Sequence, residues 1–392
     1  MKKQYLLSLF LGLLLLHSCN EVPIHNAITC LSTAPSAEEQ YLSSVFDSCK
    51  IIRLETTDDA LVGGYIGKIK KTQDAYYMAC DFNFLLKFDK DGKFLQKIMK
   101  LGNGPGEYNA IRSYDILPNG DFIICDVQRA HVYDRDWNHK KTVSLGVYGF
   151  DIRTVDEDKF LLCTMSGEYL VYLFDLDGNV LSKLIETENL PSTSSSVSLL
   201  FLGKNHVIQR IGNSNSLVCY DINTGLFSDI LFLCDGNFMT NEEEMALKKQ
   251  QPTPNEKGLW GESDFMGLYP ATNIITRTHA CEDYLVFRAG SKSNGLKNYL
   301  LNSHSRKIEH VFTNKTVNDL YFLPTSTLMN RLYNSSAPDC FITYAGVDEI
   351  QVGLDKNSAL QESKQYRKLK QELAGITNPE DENPVLIELY VK

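Results

Sequence analysis

Between Gly102 and Gly106 the chain packs three glycines and a proline into five positions, in the segment G-N-G-P-G-E-Y that runs to Tyr108. Glycine-rich loops of this kind can cradle a phosphate, so the residues around it decide the chemistry. A nucleotide P-loop needs Lys followed by Ser or Thr after its last glycine, but Gly106 is followed by Glu107, whose carboxylate repels phosphate. The Gly-x-Gly-x-x-Gly spacing of a dinucleotide fold is absent too. Metal chemistry has no compact pattern either. The eight histidines are scattered without an HExxH, and His131 and His139, flanking Asp134 and Asp136, read as polar surface groups of a hairpin. Asp89-Lys90-Asp91-Gly92 and Asp175-Leu176-Asp177-Gly178 begin like calcium loops. They lack the glycine at position six and the glutamate at position twelve, and therefore read as hairpin turns. No Gly-x-Ser-x-Gly holds a hydrolase serine, and Ser194 to Ser198 read as a loop. This reading assigns no catalytic residue, no metal ligand and no cofactor.

Five residues remain as candidate ligand contacts. Glu107, Tyr108 and Arg112 sit at one chain crossing, while Asp81 and Asp126 end equivalent apolar runs. Each has a structural role to set beside the functional one: a repeated Asp at a strand end fixes a turn, and Tyr and Glu can pin a loop.

The elements that position these residues repeat. F-L-L-K-F-D-K-D-G-K-F-L from Phe84, A-H-V-Y-D-R-D-W-N-H-K-K from Ala130, Y-L-V-Y-L-F-D-L-D-G-N-V-L from Tyr169 and L-V-C-Y-D-I-N-T-G-L-F from Leu217 each read as strand, polar turn, strand. Their turn aspartates, Asp89, Asp134, Asp175 and Asp221, are 45, 41 and 46 residues apart. A unit of about 45 residues with three or four antiparallel strands is the period of a propeller blade. The length after Ile51 suits six blades with two helical insertions; seven blades with fewer insertions is the alternative. One insertion spans about 235–271, with Thr240 and Glu243 as a capping box. The other spans about 356–380, with Ser358 and Gln361 as a capping box, Tyr366, Leu369 and Leu373 on one face, and Gly375 as its stop. The last residues, Asn383 to Lys392, read as a strand with Val385, Ile387, Leu389 and Val391 on one face, expected to pair with the first strand, Lys50 to Glu55, so that the N- and C-terminal strands close the ring without a free edge.

Ahead of the repeats, Lys2 and Lys3 precede an apolar run from Tyr5 to Leu16, too short for a bilayer span. The segment reads as a signal peptide over 1–18. Leu16-His17-Ser18-Cys19 resembles a bacterial lipobox, which implies acylation at Cys19 and a lipidated tether over 19–45; an ordinary signal peptide is the other reading. Asn20 is not the aspartate that retains lipoproteins at the inner membrane, so the resemblance implies the outer membrane, on its periplasmic or cell-surface face. The net charge of −10, with no basic cluster among aromatics, argues against a nucleic-acid partner. Most cysteines after Cys19 lie in apolar runs and read as free core thiols, with scattered disulfides as the lesser possibility.

The succession Y-M-A-C-D, F-L-L-K-F-D-K-D-G-K-F-L, G-N-G-P-G-E-Y and I-L-P-N-G-D-F-I-I-C-D resembles NHL- and TolB-like propellers. It is more similar still to a mostly uncharacterised family of six-bladed β-propeller lipoproteins that carry G-x-G-P-G-E-Y after the first blade and end in N-P-V-L, here Asn383 to Leu386. The resemblance implies an all-β fold held at the membrane by lipid. Two functions follow as expectations: a binding module for a glycan, peptide or protein partner, or a metal-dependent lactonase- or lyase-type enzyme with Ca²⁺ or Mg²⁺ in the channel.

Overall fold

The structure is a computed structural model. It describes residues 29–33, 41–164, 167–186, 199–202, 205–210, 216–234, 239–250, 274–293, 295–325, 331–333 and 339–392. Residues 1–18, read as a signal peptide, Cys19 and Ser194 to Ser198 lie outside these residues.

The chain enters through β1 (Thr29–Thr33) and β2 (Phe46–Arg53), then builds three sheets in succession. The first contains β3 to β6 (Ile66–Lys71, Ala75–Cys80, Phe84–Asp89, Phe94–Ile98) and the second β7 to β10 (Ser113–Ile116, Phe122–Asp126, Arg129–Tyr133, His139–Ser144). The third contains β11 to β14 (Gly149–Thr154, Lys159–Thr164, Tyr169–Asp175, Val180–Glu186). Two further antiparallel runs follow, β15 to β18 (Leu200–Leu202, His206–Arg210, Ser216–Asp221, Leu226–Cys234) and β19 to β22 (Ile274–Ala280, Tyr284–Ser291, Gly295–Asn302, Lys307–Thr313). The last strands, β23 (Cys340–Ala345) and β24 (Val385–Val391), form a three-stranded sheet in the order β2-β24-β23.

Five sheets result where six were expected. The physical reason lies in the tether: β1 pairs in parallel with β18, Thr29 opposite Ile230 through Thr33 opposite Cys234, and touches β22 at Ser32 and Lys307. It thereby joins the last two four-stranded runs into one nine-stranded sheet. The segment read as a tether is thus partly strand. β24 pairs along its whole length with β2 on one side and with β23 on the other, and the first strand begins at Phe46 instead of Lys50.

Middle strands such as β4, A-Y-Y-M-A-C, are buried on both faces because each sheet packs between two neighbours. Tyr114 and Phe122 of the second sheet meet Leu85 of the first, and Ile152 and Phe174 of the third meet Val132 of the second. Val207 and Tyr220 pack on the third sheet, Leu217 on Phe287, and Val286 on Phe341 and Leu389. Ile52, Ile342 and Leu386 of the three-stranded sheet pack with Met78 and Leu86 of the first. The architecture is an all-β propeller with few helices.

The turn aspartates act as read. In each of Asp89, Asp134 and Asp175 one carboxylate oxygen accepts the N–H groups two and four residues on, at 2.8–2.9 Å, and Asp221 holds Asn223 and Thr224. Seven described cysteines take part in no disulfide, six of them buried. His131, expected at the surface, is buried at 1 % exposure and shares Thr142 Oγ1 with the half-buried His139.

Three α-helices occur among the described residues. α1 (Asn241–Gln250) is capped reciprocally by Thr240 and Glu243 as expected. The second insertion begins earlier than expected, with α2 (Val347–Lys356), where the Gly346 N–H donates to the Glu349 carboxylate at 2.9 Å. Ser358 opens only a 3-10 turn. α3 (Lys364–Glu372) is capped by Ser363, and its buried face carries Tyr366 and Leu369, with Leu373 at its end.

Candidate functional site

Four first strands carry polar side chains at alternate positions: Lys68 and Lys70 on β3, Ser113 and Asp115 on β7, Asp151 and Arg153 on β11, Arg277 and His279 on β19. A spacing of two sends both members of a pair to one face of the strand. That face is the axis. Seven of the eight, all but Asp115, line a single cavity of about 350 Å³ together with Tyr65, Arg112, Phe150, Leu200 and Tyr333.

The polar groups on one side of the cavity form a connected network. Lys68 Nζ donates to Asp151 Oδ1 (2.8 Å), Ser113 Oγ (2.9 Å) and the Ile152 carbonyl (3.1 Å), which uses all three ammonium protons. Lys70 Nζ lies 2.7 Å from Asp115 Oδ1, and Arg153 places a guanidinium nitrogen 3.8 Å from Asp115 Oδ2 while donating to the Leu199 carbonyl. Backbone N–H groups complete the carboxylates: Ile116 and Thr154 donate to Asp115, Ile152 and Leu199 to Asp151.

Burial pushes the Lys70 ammonium down to about 7, and the neighbouring Arg153 adds to the fall against the opposing pull of Asp115. Desolvation lowers Lys68 as well, against Asp151. For Asp115 burial acts upward, but Lys70, Arg153 and Lys68 together hold its carboxyl well below the usual range. Asp151 is held low in the same way by Lys68 and Arg153. Five basic side chains, Lys68, Lys70, Arg112, Arg153 and Arg277, therefore line the cavity against one lining carboxylate, Asp151. The chain as a whole carries −10. Among the described residues no group of three or more His, Cys, Asp or Glu is placed to hold a metal. A divalent cation entering the cavity would meet this positive lining, with both nearby carboxylates already engaged.

Of the five residues expected to touch a ligand, Arg112 lines the cavity. Its guanidinium lies 5.7 Å from the centre of the Phe82 ring, which in turn stacks on Tyr65 at 4.5 Å. Asp81 sits one hydrogen bond behind that wall, its Oδ1 accepting the Tyr65 N–H at 2.9 Å. The other three hold the chain crossing between β6 and β7. Glu107 Oε2 accepts the Gly104 N–H at 2.9 Å, and Tyr108 is fully buried, its hydroxyl accepting from Lys100 N and donating to the Asn83 carbonyl at 3.2 Å each. Asp126 accepts from Asn109 N (3.1 Å) and pairs with Arg129 at 2.6 Å. Gly106, at φ 73°, has no room for a Cβ, which would lie 2.5 Å from the His139 side chain.

Sequence reading missed Lys68, Lys70, Asp151, Arg153, Arg277 and His279. Their signal was the recurring i, i+2 polar pair on the strand that opens a repeat, a position where a strand packed on both faces carries apolar residues.

The family described as "Domain of unknown function (DUF4934)" matches residues 21–390. The chain belongs to that family. No curated protein matches the sequence. Among solved structures, this member of the family is similar to a candidate exported protein from Bacteroides fragilis NCTC 9343, at 16 % identity and a TM-score of 0.71, over 93 % of this chain and 100 % of the other. It is also similar to a protein of unknown function from Bacteroides caccae (10 % identity, TM-score 0.40, 64 % and 82 % covered). BamB from Moraxella catarrhalis matches at 13 % identity and a TM-score of 0.40, with 76 % and 74 % covered. Among the described residues no helix is long and apolar enough to cross a membrane.

Proposed function

We propose that the protein is a binding module, held at the outer membrane by a lipid on Cys19, that receives a glycan, peptide or protein partner at the cavity on its propeller axis. The observation that carries this reading is the cavity itself: strands far apart in sequence converge on it with charged and aromatic side chains. The lipobox-like Leu16-His17-Ser18-Cys19, followed by Asn20, supports the anchor and its address. The G-x-G-P-G-E-Y and N-P-V-L segments support kinship with NHL- and TolB-like lipoprotein propellers.

The same reading counts the nine-stranded sheet as two blades joined by β1, which makes six, and takes the pairing of β2 with β24 as the closure of the ring. The two complete four-stranded runs within that sheet support the count.

A thermal-shift screen of residues 20–392 against glycans, peptides and divalent ions tests the function. A rise in melting temperature with a glycan or peptide, lost when cavity residues are replaced, is expected. A rise with divalent ions alone would point instead to the metal-dependent enzyme.

A further inference from the structure

The cavity's two sides differ in how their charge is used. On the side formed by β3, β7 and β11, Asp115 and Asp151 engage Lys68, Lys70 and Arg153, so three cations face two carboxylates. Arg112 and Arg277, on segments far apart in sequence, are exposed and have no ion-pair partner among the described residues. Charge on the lining is therefore in excess on the positive side, within walls that keep a bound group partly out of water, where an anion gains most from it. Lys70 lines the cavity as well, its Nζ 2.7 Å from Asp115 Oδ1.

The rim supplies a second kind of contact. Tyr65 and Phe150 line the cavity at 47 % and 37 % exposure, large rings left open to solvent, and Tyr65 is held flat against Phe82. Exposed ring faces beside cations suit a ligand with an apolar flat side and a negative group. A volume of about 350 Å³ is at the small end of ligand sites, the size for one or two sugar rings.

We propose that the axial cavity binds a carboxylated sugar, its carboxylate received by Lys70, Arg112 and Arg277 and its ring face by Tyr65 and Phe150. This rests on the binding-module reading and names its ligand class. Titration calorimetry on residues 20–392 with glucuronate, digalacturonate, glucose and inorganic phosphate tests it. The uronates should bind at least tenfold more tightly than glucose or phosphate. The double variant Arg112→Gln, Arg277→Gln should lose at least tenfold in uronate affinity with an unchanged melting temperature, and Phe150→Ala should weaken uronate binding too. Glucose bound as tightly as glucuronate, or a double variant that binds like the parent, overturns the carboxylate. Phosphate bound as tightly as the uronates overturns the sugar. If no uronate binds while a neutral glycan or a peptide shifts the melting temperature, the inference fails and the binding module stands; if nothing binds the cavity, both fail.

Discussion

Asp115 carries a negative charge at 2 % exposure, and it does so because its surroundings were assembled to receive one. Lys70, Arg153 and two backbone N–H groups converge on its carboxylate from three different strands. Replacing it with Asn keeps the shape but leaves two buried cations short of their counter-charge. Removal of one partner from a buried ion pair costs roughly 3–5 kcal/mol, so Asp115→Asn should lose about 3 kcal/mol in urea unfolding at pH 7. The pH dependence follows from the direction of the shift. A carboxyl held below its unfolded value of about 3.9 contributes stability that is fully present above that value and fades as pH falls toward the folded one. The gap between parent and variant should therefore be full at pH 7 and narrow below about pH 4. A gap unchanged at pH 3 would mean that Asp115 acts through shape alone.

At the level of elements, the last strand does the most joining. β24 is the middle strand of its sheet, bonded to β2 from the start of the domain and to β23. Its Glu388, fully buried, accepts from Tyr390 (2.7 Å) and from Tyr76 of the first sheet (2.8 Å) and pairs with Lys71. Just ahead of it, Asn383 donates to the carbonyls of Glu55 and Ala60 and accepts the Val62 N–H, each at 2.8 Å, so the N-P-V-L segment staples the 55–62 loop to the chain's end. Ending the protein at Asn383 should abolish cooperative thermal unfolding; a truncated chain that melts like the parent would show that β2 and β23 do not need a strand between them. Elements like these were legible where their causes are local. Asp89 binds N–H groups two and four residues on, so its turn could be read from five residues. α2 was not legible, because Gly346 is no side-chain cap and the stabilising carboxylate is Glu349 reaching back. The axial charges were visible as a period of two on β3, β7, β11 and β19, but Lys68 and Asp151 stand 83 positions apart. Which charges cancel and which remain is decided by that distant pairing, and no local pattern records it.

At the scale of the molecule, charge and the proposed lipid attachment would act together. An acidic chain with a positive axis repels polyanions in general while drawing small anions to one place. A lipid on Cys19, as proposed, would set where that place sits. Only about ten residues separate Cys19 from Thr29, and β1 is bonded between β18 and β22, so a lipid on Cys19 would lie within roughly 35 Å of β1 even if the link is fully extended. The domain would ride close to the bilayer instead of on a long leash. Each buried methylene contributes about 0.8 kcal/mol to anchoring, and two or more acyl chains hold firmly. When the full chain is expressed in a lipoprotein-processing bacterium, the protein should enter the detergent phase on cloud-point separation. Cys19→Ala should move it to the aqueous phase with its melting temperature unchanged. A Cys19→Ala protein that still follows the detergent would mean that something other than lipid on this cysteine holds it to the membrane.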